Sequence, residues 1–136
     1  MQNLIISKLD YQRLKDRIVQ AQSDPSVSRN QLMNLARGVD SATLLEPTEI
    51  PADVVTMNSQ VRISYLESHK TLELRLVYPE QVNISQNQIS IFAPLATALL
   101  GCKQNDIVTL PISSRTVKIK IDQIVYQPEA AGDYTL

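Results

Sequence analysis

Apolar positions along the chain change their period once, near Pro47 and Pro51, separating a helical part from a β-rich one. In the first part Tyr11, Leu14, Ile18 and Ala21 follow one another at spacings of 3, 4 and 3, one stripe of an α-helix. Ser7 stands where an N-cap is wanted, and Asp10 places a carboxylate in the first turn. The polar run Ser23-Asp24-Pro25-Ser26 interrupts the pattern. Ser28 and Gln31 then form a second capping box, and Leu32, Leu35, Val39 and Ala42 repeat the same spacing. Two matching stripes across a short polar turn predict an antiparallel helical hairpin over residues 1–46. Each helix of about 15 residues is ~22 Å long at 1.5 Å per residue. Helices that short are marginal alone in water, so the stripes are expected to bury against each other. Gly38, inside the second helix, costs ~1 kcal/mol relative to Ala.

After Pro51, within a second part that spans residues 47–136, the period becomes two. Val61, Ile63 and Tyr65 alternate with Arg62 and Ser64; Leu72, Leu74 and Leu76 alternate with Glu73 and Arg75. Glu67-Ser-His-Lys70 reads as the turn between them, and Ile89-Ser-Ile91 as a short strand. Val117, Ile119 and Ile121 alternate with Lys118, Lys120 and Asp122. These are strands of an antiparallel sheet with one dry and one wet face. Pro94 opens a short apolar helix and Gly101 closes it. The expected fold class is therefore α+β, a helical hairpin followed by a curled antiparallel sheet with one short helix.

Composition narrows the function more than the fold. Among 136 residues there are three glycines, Gly38, Gly101 and Gly132, too far apart to cradle a phosphate or dinucleotide. The net charge is -1, with six basic and five acidic side chains in residues 1–46 and seven and nine after them. Sequence-independent DNA binding, which needs an excess of Lys and Arg, is not supported. Cys102 and His69 are single, so neither a disulfide framework nor a Cys/His zinc cluster can form. Leu4, Ile5 and Ile6 are too few for a signal-peptide core, and no run is long enough for a membrane span; the cytoplasm is the expected compartment. No catalytic constellation emerges. His69 belongs to a solvated turn, Cys102 reads as a half-buried thiol without a base, and Asp24 reads as a turn-forming residue at the hairpin tip. No cofactor or metal is expected.

Three motifs supply what composition does not. ISIFAPLATALLGCKQNDIV, from Ile89 to Val108, resembles the strand-Pro-helix-Gly-strand signature of the C-terminal part of the GreA/GreB transcript cleavage factors. DVVTMNS, from Asp53 to Ser59, and QPEAAGDY, from Gln127 to Tyr134, resemble a narrower group, the regulator of nucleoside diphosphate kinase (Rnk) family. LVYP, from Leu76 to Pro79, belongs to the same pattern.

The resemblance implies a bacterial RNA polymerase-binding protein, with an FKBP-like domain at 47–136 and a projecting coiled-coil hairpin at 1–46. In that family the domain docks on the rim of the polymerase secondary channel, at the β′ coiled coil, and DNA is met only through the transcription complex. The Gre contact, an Asp-Ser-Pro turn, falls here on Phe92, Ala93 and Pro94; only Pro94 matches. Phe92 is then either an interface anchor or core filling. Gre factors place two acids at the hairpin tip to hold a second magnesium ion. Here the tip offers Asp24 alone on a shorter hairpin, so the resemblance implies binding and competition with Gre factors without stimulation of cleavage. Two other classes remain open. A peptidyl-prolyl isomerase needs an aromatic pocket, hard to build from no Trp, one Phe and five Tyr. A direct regulator of nucleoside diphosphate kinase would use the extended tail, through Glu129 and Asp133, unless Tyr134 packs that tail back on the domain.

Overall fold

The computed structural model describes residues 4–112 and 115–132. Strand β1 (Ile5–Ser7) runs straight into helix α1 (Lys8–Ala21), whose entry is set by Ser7. The Ser7 Oγ accepts the Asp10 N–H at 3.0 Å, satisfying one of the helix's orphan donors. Helix α2 (Arg29–Asp40) starts the same way, with Ser28 Oγ accepting from Gln31 N at 3.4 Å. The chain leaves the hairpin through β2 (Thr43–Leu45), which pairs with β1 in parallel, from Ile5 opposite Thr43 to Ser7 opposite Leu45. This ribbon clamps the two ends of the hairpin together. Three-residue strands are too short for an alternation to stand out, which is why the sequence pattern passes over them.

Two details of the hairpin differ from expectation. Helix α1 has 14 residues, but α2 has 12, ending at Asp40; the hydroxyl of its C-cap, Ser41, donates back to the Arg37 carbonyl. The buried stripe of α1 is Asp10, Leu14, Ile18 and Ala21. Asp10 holds the inner position expected for Tyr11, which is half-buried with the Lys15 ammonium 5.9 Å from its ring centre. In α2 the buried set is Leu32, Leu35 and Val39, as the spacing predicts, and Ala42 falls beyond the helix.

The second part is a five-stranded sheet of β3 (Gln60–Tyr65), β4 (Thr71–Val77), β5 (Gln88–Ser90), β6 (Ile107–Ile112) and β7 (Arg115–Tyr126), in the order β5-β4-β3-β7-β6. All pairings are antiparallel except β4 with β5, so the sheet is mixed where a purely antiparallel one was expected. Val61, Ile63, Leu74, Leu76, Ile119 and Ile121 form its buried face. Arg62 and Lys118 point to solvent. Register shifts in the β3–β7 pairing bend the sheet around the core. Helix α3 (Pro94–Leu99) has Pro94 at its first position, and Gly101 follows it at φ +78°, as the Pro-at-start, Gly-at-end pattern predicts. The described part of the tail, 127–132, is not extended as expected. Gln127 accepts the Ala130 N–H at 3.1 Å and Gly132 takes a left-handed cap, so Pro128–Ala131 forms a helical turn, α4. Glu129 in it accepts a hydrogen bond from the Thr56 hydroxyl at 2.7 Å. Asp133 and Tyr134 lie outside the described residues.

One hydrophobic cluster runs through both parts, joining Leu14, Leu35 and Val39 to Ile91, Leu99 and Ile119. The hairpin therefore buries its stripes against the sheet as well as against itself. Leu4 sits at the joint, in the space that two glycines leave open. A Cβ on Gly101 would lie 2.7 Å from Leu4 Cδ2 and 3.1 Å from its Cα; one on Gly38 would lie 3.0 Å from Cδ1.

Gly101→Ala must overcome both that approach and a left-handed backbone, so it is expected to lose about 2 kcal/mol or more. Gly38→Ala meets only the flexible end of Leu4 and gains helix propensity, so it should stay within about 1 kcal/mol of wild type. Urea unfolding of both variants checks the pair; equal losses would show that Leu4 does not discriminate between its two neighbours.

Candidate functional site

The turn preceding α3 is fixed from three directions. Ser90 accepts the Phe92 N–H on its hydroxyl at 3.1 Å and the Ala93 N–H on its carbonyl at 2.9 Å. Thr97, in α3, donates its hydroxyl to the Ile91 carbonyl at 2.6 Å. The same Thr97 oxygen accepts from Gln31 Nε2 at 2.6 Å, which ties the turn to the hairpin. Ile91 is buried, Phe92 and Ala93 are half-buried, and Pro94 is exposed. Phe92 thus combines the two readings open in the sequence: it packs against the core cluster and also lines a cleft.

At the hairpin tip Asp24 is exposed and acts as the turn former that its neighbours predict. Its Oδ1 accepts the Ser26 hydroxyl at 2.7 Å and the Ser26 N–H at 2.9 Å, which hold its carboxyl below the usual carboxylate range. The tip does not stand clear of the sheet. Asp24, Phe92, Ala93 and Pro94 line a single cleft of ≈ 580 Å³, together with Val27, Asn30 and Asn34 of the hairpin and Pro79. A second hollow of ≈ 110 Å³ lies between Phe92, Asp24, Arg17 and Glu80. All four residues singled out in the sequence are therefore brought to one place.

The residues that hold the tip there were not singled out. The Arg17 guanidinium stacks on the Tyr78 ring, 4.6 Å from its centre, and pairs with the Glu80 carboxylate. The Tyr78 hydroxyl donates to Asp10 Oδ1 at 3.0 Å inside the joint. A signal existed: Asp10 lies four residues before Leu14 and eight before Ile18, on the buried face of α1, and a carboxylate there needs a donor from the opposite wall. Burial, and next the negative charge of Glu129, push the Asp10 carboxyl up to about 7, against the Tyr78 hydroxyl, Arg13 and Ser7, which favour its ionised form. Burial, reinforced by Asp10, pushes the Tyr78 phenol up, which keeps it a donor.

Other candidate groups do not converge on this cleft. Cys102 is buried rather than half-buried, and burial followed by Asp106 pushes its thiol up to about 11, so it stays protonated; its S–H donates to the Ala98 carbonyl at 3.3 Å. His69 is exposed in the β3–β4 turn, at φ 58°. Among the described residues, no three or more His, Cys, Asp or Glu side chains come together as a metal site, and no helix is long and apolar enough to cross a membrane.

A short helical hairpin laid against a mixed sheet, with a turn and short helix at the cleft, is the architecture of a prokaryotic transcription elongation factor. The solved structure "Prokaryotic transcription elongation factor GreA/GreB from Nitrosomonas europaea" is similar at TM-score 0.75 and 35% identity, covering 93% of this chain and 100% of that one. Residues 50–126 match the family described as "Transcription elongation factor, GreA/GreB, C-term", and the chain belongs to that family. Its relatives include the regulator of nucleoside diphosphate kinase of Escherichia coli strain K12, 41% identical over 100 residues, which are 72% of this chain and 73% of that protein. Transcription elongation factor GreA of Acetivibrio thermocellus is 27% identical over 105 residues, 77% of this chain and 66% of that protein. These names are those of regulators and transcription factors, not of enzymes.

The raised Asp10 carboxyl gives stability a definite pH slope. In the folded protein Asp10 binds its proton up to about pH 7, whereas an unfolded Asp releases it near pH 3.8. The contribution is full below the unfolded value and is lost as pH rises through about 7, on the order of 2–4 kcal/mol in all. Asp10→Asn, which keeps an acceptor for Tyr78, should flatten this slope. Urea unfolding at pH 5 and pH 8 checks it: the wild type should lose more stability than the variant between the two.

Proposed function

We propose that the chain binds bacterial RNA polymerase at the rim of the secondary channel, on the β′ coiled coil, and competes there with Gre factors without stimulating transcript cleavage. Residues 47–136 are the FKBP-like docking part in this reading, and residues 1–46 a short coiled-coil hairpin. The observation that carries it is the Phe92-Ala93-Pro94 turn of a GreA/GreB family chain, braced by Ser90 and Thr97 and open to a cleft on its outer side. A half-buried Phe in a rigid turn suits an interface anchor, because little side-chain freedom is lost on binding.

The lack of cleavage follows from the hairpin. Its longer arm has 14 residues, about 21 Å at 1.5 Å per residue. The tip offers one acid, Asp24, with one carboxylate oxygen already committed to Ser26. Two-metal phosphoryl chemistry needs a carboxylate set that reaches the reacting phosphate, which this tip does not supply. An effect on nucleoside diphosphate kinase would then run through transcription. Direct contact with that kinase is the second reading, favoured only by the name of the E. coli relative. Glu129, the tail acid among the described residues, already accepts from Thr56, which weakens its use as a recognition element. Among the described residues Phe92 is the one aromatic side chain of the cleft, poor material for a proline pocket.

Purified chain should displace GreA from core polymerase yet leave a stalled complex uncleaved. Phe92→Ala should weaken binding by more than about ten-fold, the size expected for an anchor residue. Cleavage by the wild type would overturn the argument from the hairpin. Failure to bind polymerase would shift the weight to direct contact with nucleoside diphosphate kinase, tested by the same titration with that enzyme.

A further inference from the structure

We propose that the hairpin tip is the second wall of the docking site, so that the cleft receives a polymerase segment presenting an arginine or lysine beside an aliphatic side chain; this rests on the polymerase reading above. The cleft has the volume for a few side chains, ≈ 580 Å³. Its two sides differ in chemistry. Phe92, Ala93, Pro94 and Pro79 make an apolar side, while Asp24, Asn30 and Asn34 make a polar one. Among the described residues, Asp24 is the only charged one lining it. Both hydrogen bonds of its carboxylate go to Oδ1, and Oδ2 has no partner among the described residues. The amides of Asn30 and Asn34 are likewise exposed and unpartnered among the described residues, free to pair with a polypeptide backbone.

A lone negative charge facing an apolar wall selects a basic residue with a greasy neighbour and repels a phosphate chain, so the occupant is protein and not RNA. The wall is pre-organised. Arg17 with Glu80 and Tyr78, and Gln31 with Thr97, hold the tip in place before anything binds. The hairpin thus serves attachment where the family resemblance implies reach into the channel.

The test uses the full chain and core polymerase at low and high salt. Asp24→Asn keeps the Oδ1 acceptor for Ser26 and removes only the charge. It should bind about five-fold more weakly at low salt, with the difference shrinking at high salt. A photoreactive side chain introduced at Asn34 should capture the same polymerase peptide as one introduced at Ala93. If Phe92→Ala weakens binding while Asp24→Asn binds like wild type and Asn34 captures a different peptide, the tip is not a wall of the site and the polymerase reading stands without it. Capture of RNA from Asn34 overturns the choice of occupant. If the wild type does not bind polymerase, both this inference and the reading beneath it fall.

Discussion

Everything at the cleft depends on how a hairpin too short to stand alone is held against the sheet. Arms of 14 and 12 residues do not sustain themselves in water. The attachments are spread along α1: the β1–β2 ribbon and Leu4 at the base, Asp10 with Tyr78 in the first turn, and Arg17 with Tyr78 and Glu80 nearer the tip. Lys8–Glu46 and Lys15–Asp40 also bridge the hairpin, but their side chains are 39–58% exposed, and pairs of that kind contribute little. The Glu80 side chain is 54% exposed as well, so Arg17 holds chiefly by stacking on Tyr78, and the buried contacts carry the attachment. Tyr78 is central to it, since its hydroxyl faces Asp10 and its ring carries the Arg17 guanidinium.

Much of this was legible from spacing. Ser7 and Ser28 as caps, the α2 stripe, the three alternating strands and the Pro94–Gly101 helix all follow from local rules, because each is decided by neighbours in sequence. What escaped was decided by distant partners. Asp10 and Tyr11 are about equally placed on a helical wheel, so spacing alone does not choose between them; in the fold the acid takes the inward position, where the Tyr78 hydroxyl donates to it. The β1–β2 pair and the parallel β4–β5 pair depend on segments that meet only in the folded chain. The tail read as extended because QPEAAGDY is polar and short, yet the Gln127 side chain caps its first turn while donating to the Pro51 and Val54 carbonyls at 2.8 and 2.6 Å.

The site shows the same division. Asp24 as a turn former and the Phe92-Ala93-Pro94 turn could be picked out singly. Their convergence could not, because Asp24 and Phe92 belong to different parts of the fold and nothing local relates them. Gln31 is the instructive case: its backbone N–H donates to the Ser28 hydroxyl, the half of the expected capping box that forms, while its side-chain amide crosses to Thr97 beneath the turn instead of returning to the Ser28 N–H. One residue thus helps start a helix and braces a surface, and only the first role has a sequence signature.

A cleft with one wall on each part of a molecule has a thermodynamic consequence. Whatever fills it must favour the state in which the walls are together, so ligand occupancy and hairpin attachment are linked quantities. A ligand at a hundred times its dissociation constant, with no affinity for the parted state, would deepen the attached state by about 2.7 kcal/mol. The hairpin's own stability would then report occupancy: amide protons of α1 and α2 would exchange more slowly whenever the cleft is full, even though most of them lie outside it.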